Sequence, residues 1–225
     1  MFYNINISAY KRDHVLDYIK EQKKANPNYK VLDIGASANY TEWSYEVVDY
    51  VVDINDFKDD RVKTFSININ YEDQWNELLE FIDLNGKFDF CICSHTLEDI
   101  AMPSIALSKM PLIANEGFIA VPSKYREFSR VANQPWLGYI HHRWIYTFKD
   151  DFFLAIPKFN FIEHIPEFIS IGNPSESLAD LSFFWKDEIK FKLLNNDYLG
   201  PTVEDVLSYY YYSLLNDSNI LSTKS

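Results

Sequence analysis

Cysteine is nearly absent from the chain: two residues in 225, Cys91 and Cys93, both within one Phe-Asp-Phe-Cys-Ile-Cys run. Alternate positions along a strand point to the same side, so the two thiols share a face. Two thiols that close on one strand cannot reach disulfide geometry without bending it, and no other cysteine or nearby paired histidine completes a metal set around them. Both read as small buried hydrophobes, and no metal ligands are expected. Dense basic runs are missing too. The formal net charge is -12, from 21 Lys plus Arg against 33 Asp plus Glu, which disfavours any partner held through a phosphate backbone, so no nucleic acid is expected. No stretch approaches the roughly 20 consecutive apolar residues needed to span a bilayer. The opening Met1-Phe2-Tyr3-Asn4 lacks the basic start and apolar core of a secretion signal. Membrane insertion is therefore not expected, and a cytoplasmic protein is. Internal repeats, low-complexity tracts and Gly/Ser linkers are also missing.

What the chain does have is material for one large core: 47% hydrophobic and 17% aromatic residues, with 24% charged. Residues 1–225 are expected to form a single domain. Its first half alternates in type. Tyr10, Val15, Leu16 and Ile19 mark an amphipathic helix over residues 10 to 25, stopped near Asn26-Pro27. Strands are predicted at 30–34, 50–54, 63–69, 88–93 and 117–121, with helices over 72–83 and 102–114. That rhythm implies parallel βαβ units with helices on both faces of the sheet. Residues 123 to 147 are aromatic and polar without a clean period, which predicts an ordered insertion over the carboxyl edge of the sheet. Beyond it come a short helix at 150–156, strands at 159–171 and 181–194, the latter folded as a hairpin about Asp187-Glu188. A final helix spans 202–215, opened by Thr202 with Asp205 three residues on.

The segment Val31-Leu32-Asp33-Ile34-Gly35-Ala36-Ser37-Ala38-Asn39 ends a buried strand in a turn of small residues, where a ligand can approach the backbone. Eighteen positions past Gly35, Asp53 closes the next strand in Val51-Val52-Asp53-Ile54, where a carboxylate can accept hydrogen bonds from both hydroxyls of a ribose. Either feature alone fits an ordinary tight turn or a solvated strand end; the two in register point to a nucleoside-bearing ligand. NAD is the rival, but its Gly-x-Gly-x-x-Gly turn is not present: Ser37 stands at the second glycine, and Asn39 or Tyr40 at the third.

These residues resemble the class I S-adenosylmethionine-dependent methyltransferases, in which an acidic residue, a small-residue turn and a second acidic residue hold the cofactor. Phe88 through Ile100 is similar to the fourth-strand motif of the small-molecule branch, and Asn115 through Pro122 to its fifth-strand motif. The resemblance covers about residues 28 to 123. It implies a Rossmann-like seven-strand α/β methyltransferase fold, mostly parallel, with helices on both faces and an insertion after the fifth strand. It divides the chain into an N-terminal helix (1–27), a cofactor-binding half (28–123), an acceptor-side insertion (124–147) and C-terminal strands and helix (148–225). It implies S-adenosyl-L-methionine as cofactor, with Asp33, Gly35, Ala36, Ser37, Asp53, Ile54 and Ser94 around it. Asn68 stands where the family often places an acid or amide near the adenine.

His95, just past the fourth strand, falls beside the sulfonium in this scheme and is a candidate proton acceptor or, alternatively, a structural cap partner. Glu98 and Asp99 are expected in the first turn of the following helix, where negative charge is favoured. The run Gly138-Tyr139-Ile140-His141-His142-Arg143-Trp144 is the most unusual local composition in the chain. Arg143 is suited to clamp a phosphate or carboxylate, His141 or His142 to take a proton, and Trp136 and Trp144 to stack on a sugar or ring. The other interpretation is that the segment packs the insertion. The four tyrosines 209–212 point all round a helix, which fits a core or homodimer contact. The expected function is methyl transfer at oxygen of a small molecule, or of a bacterial surface glycan or its phosphorylated precursor. The alternative is a catalytically silent S-adenosylmethionine-binding domain that serves as a partner-binding module.

Overall fold

A computed structural model of the chain describes residues 1–9, 12–36, 43–56, 59–130, 135–166, 176–195 and 200–215. Its centre is a seven-stranded sheet. The strands β1 (Phe2–Ser8), β2 (Val31–Ile34), β3 (Tyr50–Asp53), β4 (Lys63–Ser66), β5 (Phe88–Ser94), β6 (Ala114–Pro122) and β9 (Asp180–Lys186) lie in the order β1-β9-β6-β5-β2-β3-β4. The five strands from β4 to β6 are parallel to one another, and β9 is antiparallel to both of its neighbours. The expected mostly parallel α/β sheet is present.

Period-two alternation assigns the two faces. Leu32, Ile34, Cys91, Cys93 and Ile119 face α2 (Asn76–Asn85) and α3 (Pro103–Ile113), through Leu78, Ile82, Ala106 and Met110. Val31, Phe90, Ile92, Phe118 and Ala120 face α1 (Asp13–Ala25), through Val15 and Ile19. Helices therefore cover both faces, and β5 is buried on each side as a central parallel strand requires. The cysteines lie on one buried face, and burial pushes both thiols up, so neither is a nucleophile near neutral pH.

The strand β1 was not expected, and local geometry explains why. Asn4 has φ of 53°, and the pairing of β1 with β9 slips between Tyr3 and Asn6. This bulge reverses the alternation, so Phe2 and Ile7 pack on the same core while Ile5 faces solvent. The sequence alternates through Tyr3, Ile5 and Ile7, but the bulge breaks the correspondence between that alternation and the buried face.

The second half differs more from expectation. The insertion begins with a single turn, α4 (Lys124–Glu127), then leads into β7 (Trp144–Lys149). The helix expected at 150–156 is instead β8 (Phe152–Pro157), paired antiparallel with β7. Asp150 and Asp151, at φ of 49° and 62°, make the two-residue turn that reverses the chain. The predicted hairpin at 181–194 does not form: β10 (Phe191–Leu193) leaves β9 and joins β8 in a separate sheet, ordered β10-β8-β7. Within the strand predicted at 159–171, Asn160–His164 is a short 3-10 helix, and 167–171 lie outside the described residues. The small sheet packs Tyr146, Phe153 and Ala155 on the main core. Its other face carries Ile145, Leu154 and Ile156 against Val206 and Tyr210 of α5 (Val203–Leu215). Thr202 and Asp205 cap that helix reciprocally, as their spacing predicts. Of the tyrosine run, Tyr210 is buried and Tyr212 exposed.

Gly117 fixes how closely β5, β6 and β9 approach. A Cβ there would stand 2.2 Å from the Cys91 carbonyl oxygen and 2.8 Å from the Trp185 ring. Gly117→Ala should therefore destabilise the protein by about 1–3 kcal/mol, lowering Tm by several degrees. An unchanged denaturation midpoint would show that the sheet is looser than described.

Candidate functional site

The chain runs from β2 out to β3 and β4 on one side, then returns to β5 on the other. The carboxyl ends of β2 and β5 thus flank the point where strand order reverses, which is where open α/β sheets form a crevice. Here that crevice is a cleft of about 200 Å³, walled by Gly35, Asp53, Ile54, Asn68, Thr96 and Ile100 among others. Four residues singled out in the sequence (Gly35, Asp53, Ile54 and Asn68) meet in it.

Gly35 is required twice over. Its φ is 76°, and a Cβ would lie 2.3 Å from the Thr96 hydroxyl oxygen, which itself lies 3.4 Å from the Ile34 carbonyl. The absent side chain is what lets the β2 turn and the β5 turn close on each other. Across the cleft, Asp53 accepts two hydrogen bonds from Asn55, at 2.8 and 3.0 Å, both on Oδ1. Among the described residues Oδ2 accepts none, and Asp53 is part of the cleft wall. Ile54 is 64% exposed at the rim, an apolar surface left uncovered beside a polar one. Asn68 accepts from Asn70 on Oδ1, which turns its amide N–H groups to other use.

Other cofactor candidates lie below the rim. Asp33 is buried and accepts from the Ser44 hydroxyl at 2.5 Å. The Ser94 hydroxyl is buried with no partner among the described residues, an orphaned donor at the end of β5. Ala36 is half-buried; Ser37 lies outside the described residues.

His95 sits where β5 ends, in left-handed backbone with φ of 53°. Its Nδ1 is 3.2 Å from Glu98 Oε1 and its Nε2 3.3 Å from Asp180 Oδ2, and Asp180 also receives Arg12 at 2.7 Å. Arg12, Glu98 and Asp180 are all buried. Burial alone would lower the imidazole pKa, but hydrogen bonds to Asp180 and Glu98 outweigh it and raise the value to about 9. An imidazolium donates from both nitrogens and has no lone pair left for an acceptor hydroxyl. His95 is therefore a charged tie near neutral pH. The sequence placed Glu98 and Asp99 in a helix start; α3 instead begins at Pro103, and Glu98 is buried beside His95. Glu98 meets His95 three residues away, and Asp180, distant in sequence, completes the pair of carboxylates around that ring.

The insertion is fastened to this same segment. Arg143 donates its backbone N–H to the Glu98 carbonyl at 2.6 Å, Trp144 its indole N–H to Ile100 at 2.9 Å, and Tyr146 its hydroxyl to Leu97 at 2.9 Å. Trp144 thus holds Ile100 and packs, partly buried, against the main core. Trp136 is half-buried, its indole N–H without a partner among the described residues. Arg143 is exposed, and among the described residues its guanidinium has no partner. His142 is buried, its Nδ1 2.5 Å from Glu127, whose other oxygen receives Lys158 at 2.5 Å. His141 is exposed, and Asp99 Oδ1 stands 3.8 Å from the Nε2 of each histidine. Asp99, His141 and His142 thus gather together, with Asp99 next in the chain to the cleft residue Ile100, while His95 is tied to Glu98 and Asp180.

No protein-family model matches the chain, and no curated protein matches it. Solved structures that resemble it include the MycE methyltransferase of the mycinamycin pathway in complex with Mg and SAH, at 17% identity over 52% of this chain and 35% of that one, with a TM-score of 0.36. A cyclopropane-fatty-acyl-phospholipid synthase-like protein from Lactobacillus casei aligns at 12% identity over 81% and 96% of the two chains, TM-score 0.38. The N-terminal domain of EvdMO1 with SAH bound aligns at 10% identity over 76% and 79%, TM-score 0.37. The chain spans about a third of the length of MycE. At such scores the likeness carries no weight for activity, which has to be judged from the cleft itself.

The His95 tie makes stability depend on pH in a defined window. Its folded pKa is raised from about 6.5 to about 9, so its stabilisation is complete below pH ~6.5 and is lost as pH rises toward 9. The imidazole proton resonance of His95 should titrate near 9 by NMR, and nearer the ordinary value in Asp180→Asn. A wild-type midpoint near 6.5 would contradict the tie.

Proposed function

We propose that the protein transfers a methyl group from S-adenosylmethionine to an oxygen of a small molecule, or of a bacterial surface glycan or its phosphorylated precursor. The observation that carries this reading is the pairing of the Gly35 turn with the open Asp53 carboxylate across one cleft at the strand-order switch. Asp53 Oδ2 is suited to accept from ribose hydroxyls, Asn68 to donate to a ring nitrogen, and Ile54 to cover an adenine face. The orphaned Ser94 hydroxyl and buried Asp33 lie toward the methionine end. Bound there, the cofactor supplies an electrophilic methyl group on a sulfonium.

The chain's own residues have to hold an acceptor oxygen in line with that methyl and receive its proton. Arg143 offers an anionic acceptor an exposed guanidinium that has no partner among the described residues, in a protein whose net charge is -12. Proton acceptance falls to the Asp99, His141 and His142 group, because His95 is held as a cation. The backbone bonds from 143 to 98 and the Trp144 bond to Ile100 keep that group in register with the cleft.

Calorimetry should show S-adenosylhomocysteine binding without comparable NAD binding. Asp53→Ala removes charge-assisted hydrogen bonds worth ~1.5–3 kcal/mol, so affinity should fall roughly tenfold to a hundredfold. A folded Asp53→Ala protein with wild-type affinity would sink the cofactor assignment.

Arg143→Ala should keep S-adenosylhomocysteine affinity while most methyl transfer is lost across a panel of hydroxylated and phosphorylated sugars, measured by S-adenosylhomocysteine release. If that variant instead melts early, the cluster serves packing and the acceptor site lies elsewhere. Cofactor binding with no turnover on any acceptor would favour the silent binding module.

A further inference from the structure

The Asp99, His141 and His142 group has a geometry that proton transfer alone does not require. Asp99 Oδ1 lies 3.8 Å from His141 Nε2 and 3.8 Å from His142 Nε2, and one ligand atom from each of the three falls within 4.8 Å of the others. Metal bonds of about 2.1 Å in a tetrahedral arrangement place ligand atoms about 3.4 Å apart. Closing the group onto an ion therefore needs movements of less than ~1 Å per side chain. Two of the three, His141 and Asp99, are exposed and free to make them.

The third ligand is already held. His142 is buried, its Nδ1 is 2.5 Å from Glu127, and Glu127 is fully buried and fixed by Lys158 at 2.5 Å. With Nδ1–H donating to that carboxylate, Nε2 keeps its lone pair and points it at the cluster. A buried carboxylate that fixes the tautomer and orientation of a histidine is the usual outer support of a metal ligand. Tyr139 packs on the same ring at 4.7 Å between centroids, which limits its rotation.

We propose that Asp99, His141 and His142 bind one divalent transition-metal ion, with Glu127 as positioning residue and the remaining coordination sites open to water or to an acceptor oxygen. Two imidazoles and a single carboxylate suit zinc, cobalt, nickel or iron(II) over magnesium or calcium, which prefer all-oxygen sets. Asp99 lies between Thr96 and Ile100, both of which line the cleft, so an oxygen on the ion would sit at the cleft's acceptor side. Metal binding stands independently of the methyl-transfer reading.

The test uses the tag-free full chain after EDTA dialysis, titrated with cobalt(II) chloride and followed by visible absorption, then with zinc chloride by calorimetry. One ion per chain is expected, with ligand-field bands on cobalt addition and no displacement by a large excess of magnesium. Asp99→Asn and His141→Ala, both at exposed positions, should keep the wild-type circular dichroism and S-adenosylhomocysteine affinity while weakening cobalt binding at least tenfold. Glu127→Gln, if folded, should weaken cobalt binding and change the absorption bands, a readout that loss of packing alone would not move. Absence of saturable binding, or cobalt affinity within twofold of wild type in either exposed variant, would overturn the site. Loss of S-adenosylhomocysteine binding in the parent protein would instead count against the cofactor assignment and leave the metal result standing.

Discussion

His95 stands between Glu98 and Asp180, and Asp180 also holds Arg12; the carboxyl edge of the main sheet is organised around that set of contacts. It joins the end of β5, the segment before α3, the start of β9 and the residue that opens α1. Charges this deeply buried are stable only in company, so removal of any one leaves another uncompensated. The segment 95–100 is in turn the floor on which both halves of the site rest. Thr96 meets Gly35 on the cleft side, and the carbonyls of Leu97, Glu98 and Ile100 receive the insertion on the other. A single charged tie thus sets the distance between the two halves.

The first half of the chain was legible because its determinants are local. The Asp33 to Gly35 turn, Asp53 at the next strand end and the Cys91/Cys93 alternation each express a short-range rule, and the structure places all of them as those rules require. What stayed hidden depends on partners distant in sequence. Glu98 looks like a helix-start acid until Asp180, 82 positions on, supplies the other carboxylate for His95. The turn at Asp150-Asp151 lacks the Asn-Gly or Asp-Gly signature of a two-residue hairpin, so the strand after it resembled a helix. In β1 a bulge at Asn4 shifts the pairing register, so the alternation of Tyr3, Ile5 and Ile7 does not mark the buried face.

The two sides of the cleft are built differently. The Gly35–Asp53 side is backbone and small residues at strand ends, with rigidity inherited from a sheet buried on both faces. The insertion side is side chains fastened by a handful of hydrogen bonds to one short segment. Substitution on the first side should propagate into the sheet; on the second, exposed positions such as His141 and Arg143 can change without disturbing the core. On the proposed function, that division suits a scaffold whose acceptor range is adjustable at constant cofactor chemistry.

The sheet order has a consequence for how the molecule comes to be assembled. β1 pairs only with β9, and roughly 170 residues separate Ser8 from Asp180. At ribosomal rates of about 5–20 residues per second, β1 waits on the order of 10–30 s for its neighbour. From the time β6 emerges until β9 follows, β6 also lacks its outer partner, so an open parallel sheet presents an unpaired edge to the surroundings. The bulge at Asn4 and the asparagines on either side of Ile5 make β1 a poor template for a stray strand while it waits. The bulge that decides which residues of β1 are buried thereby also protects the nascent chain from joining the wrong partner.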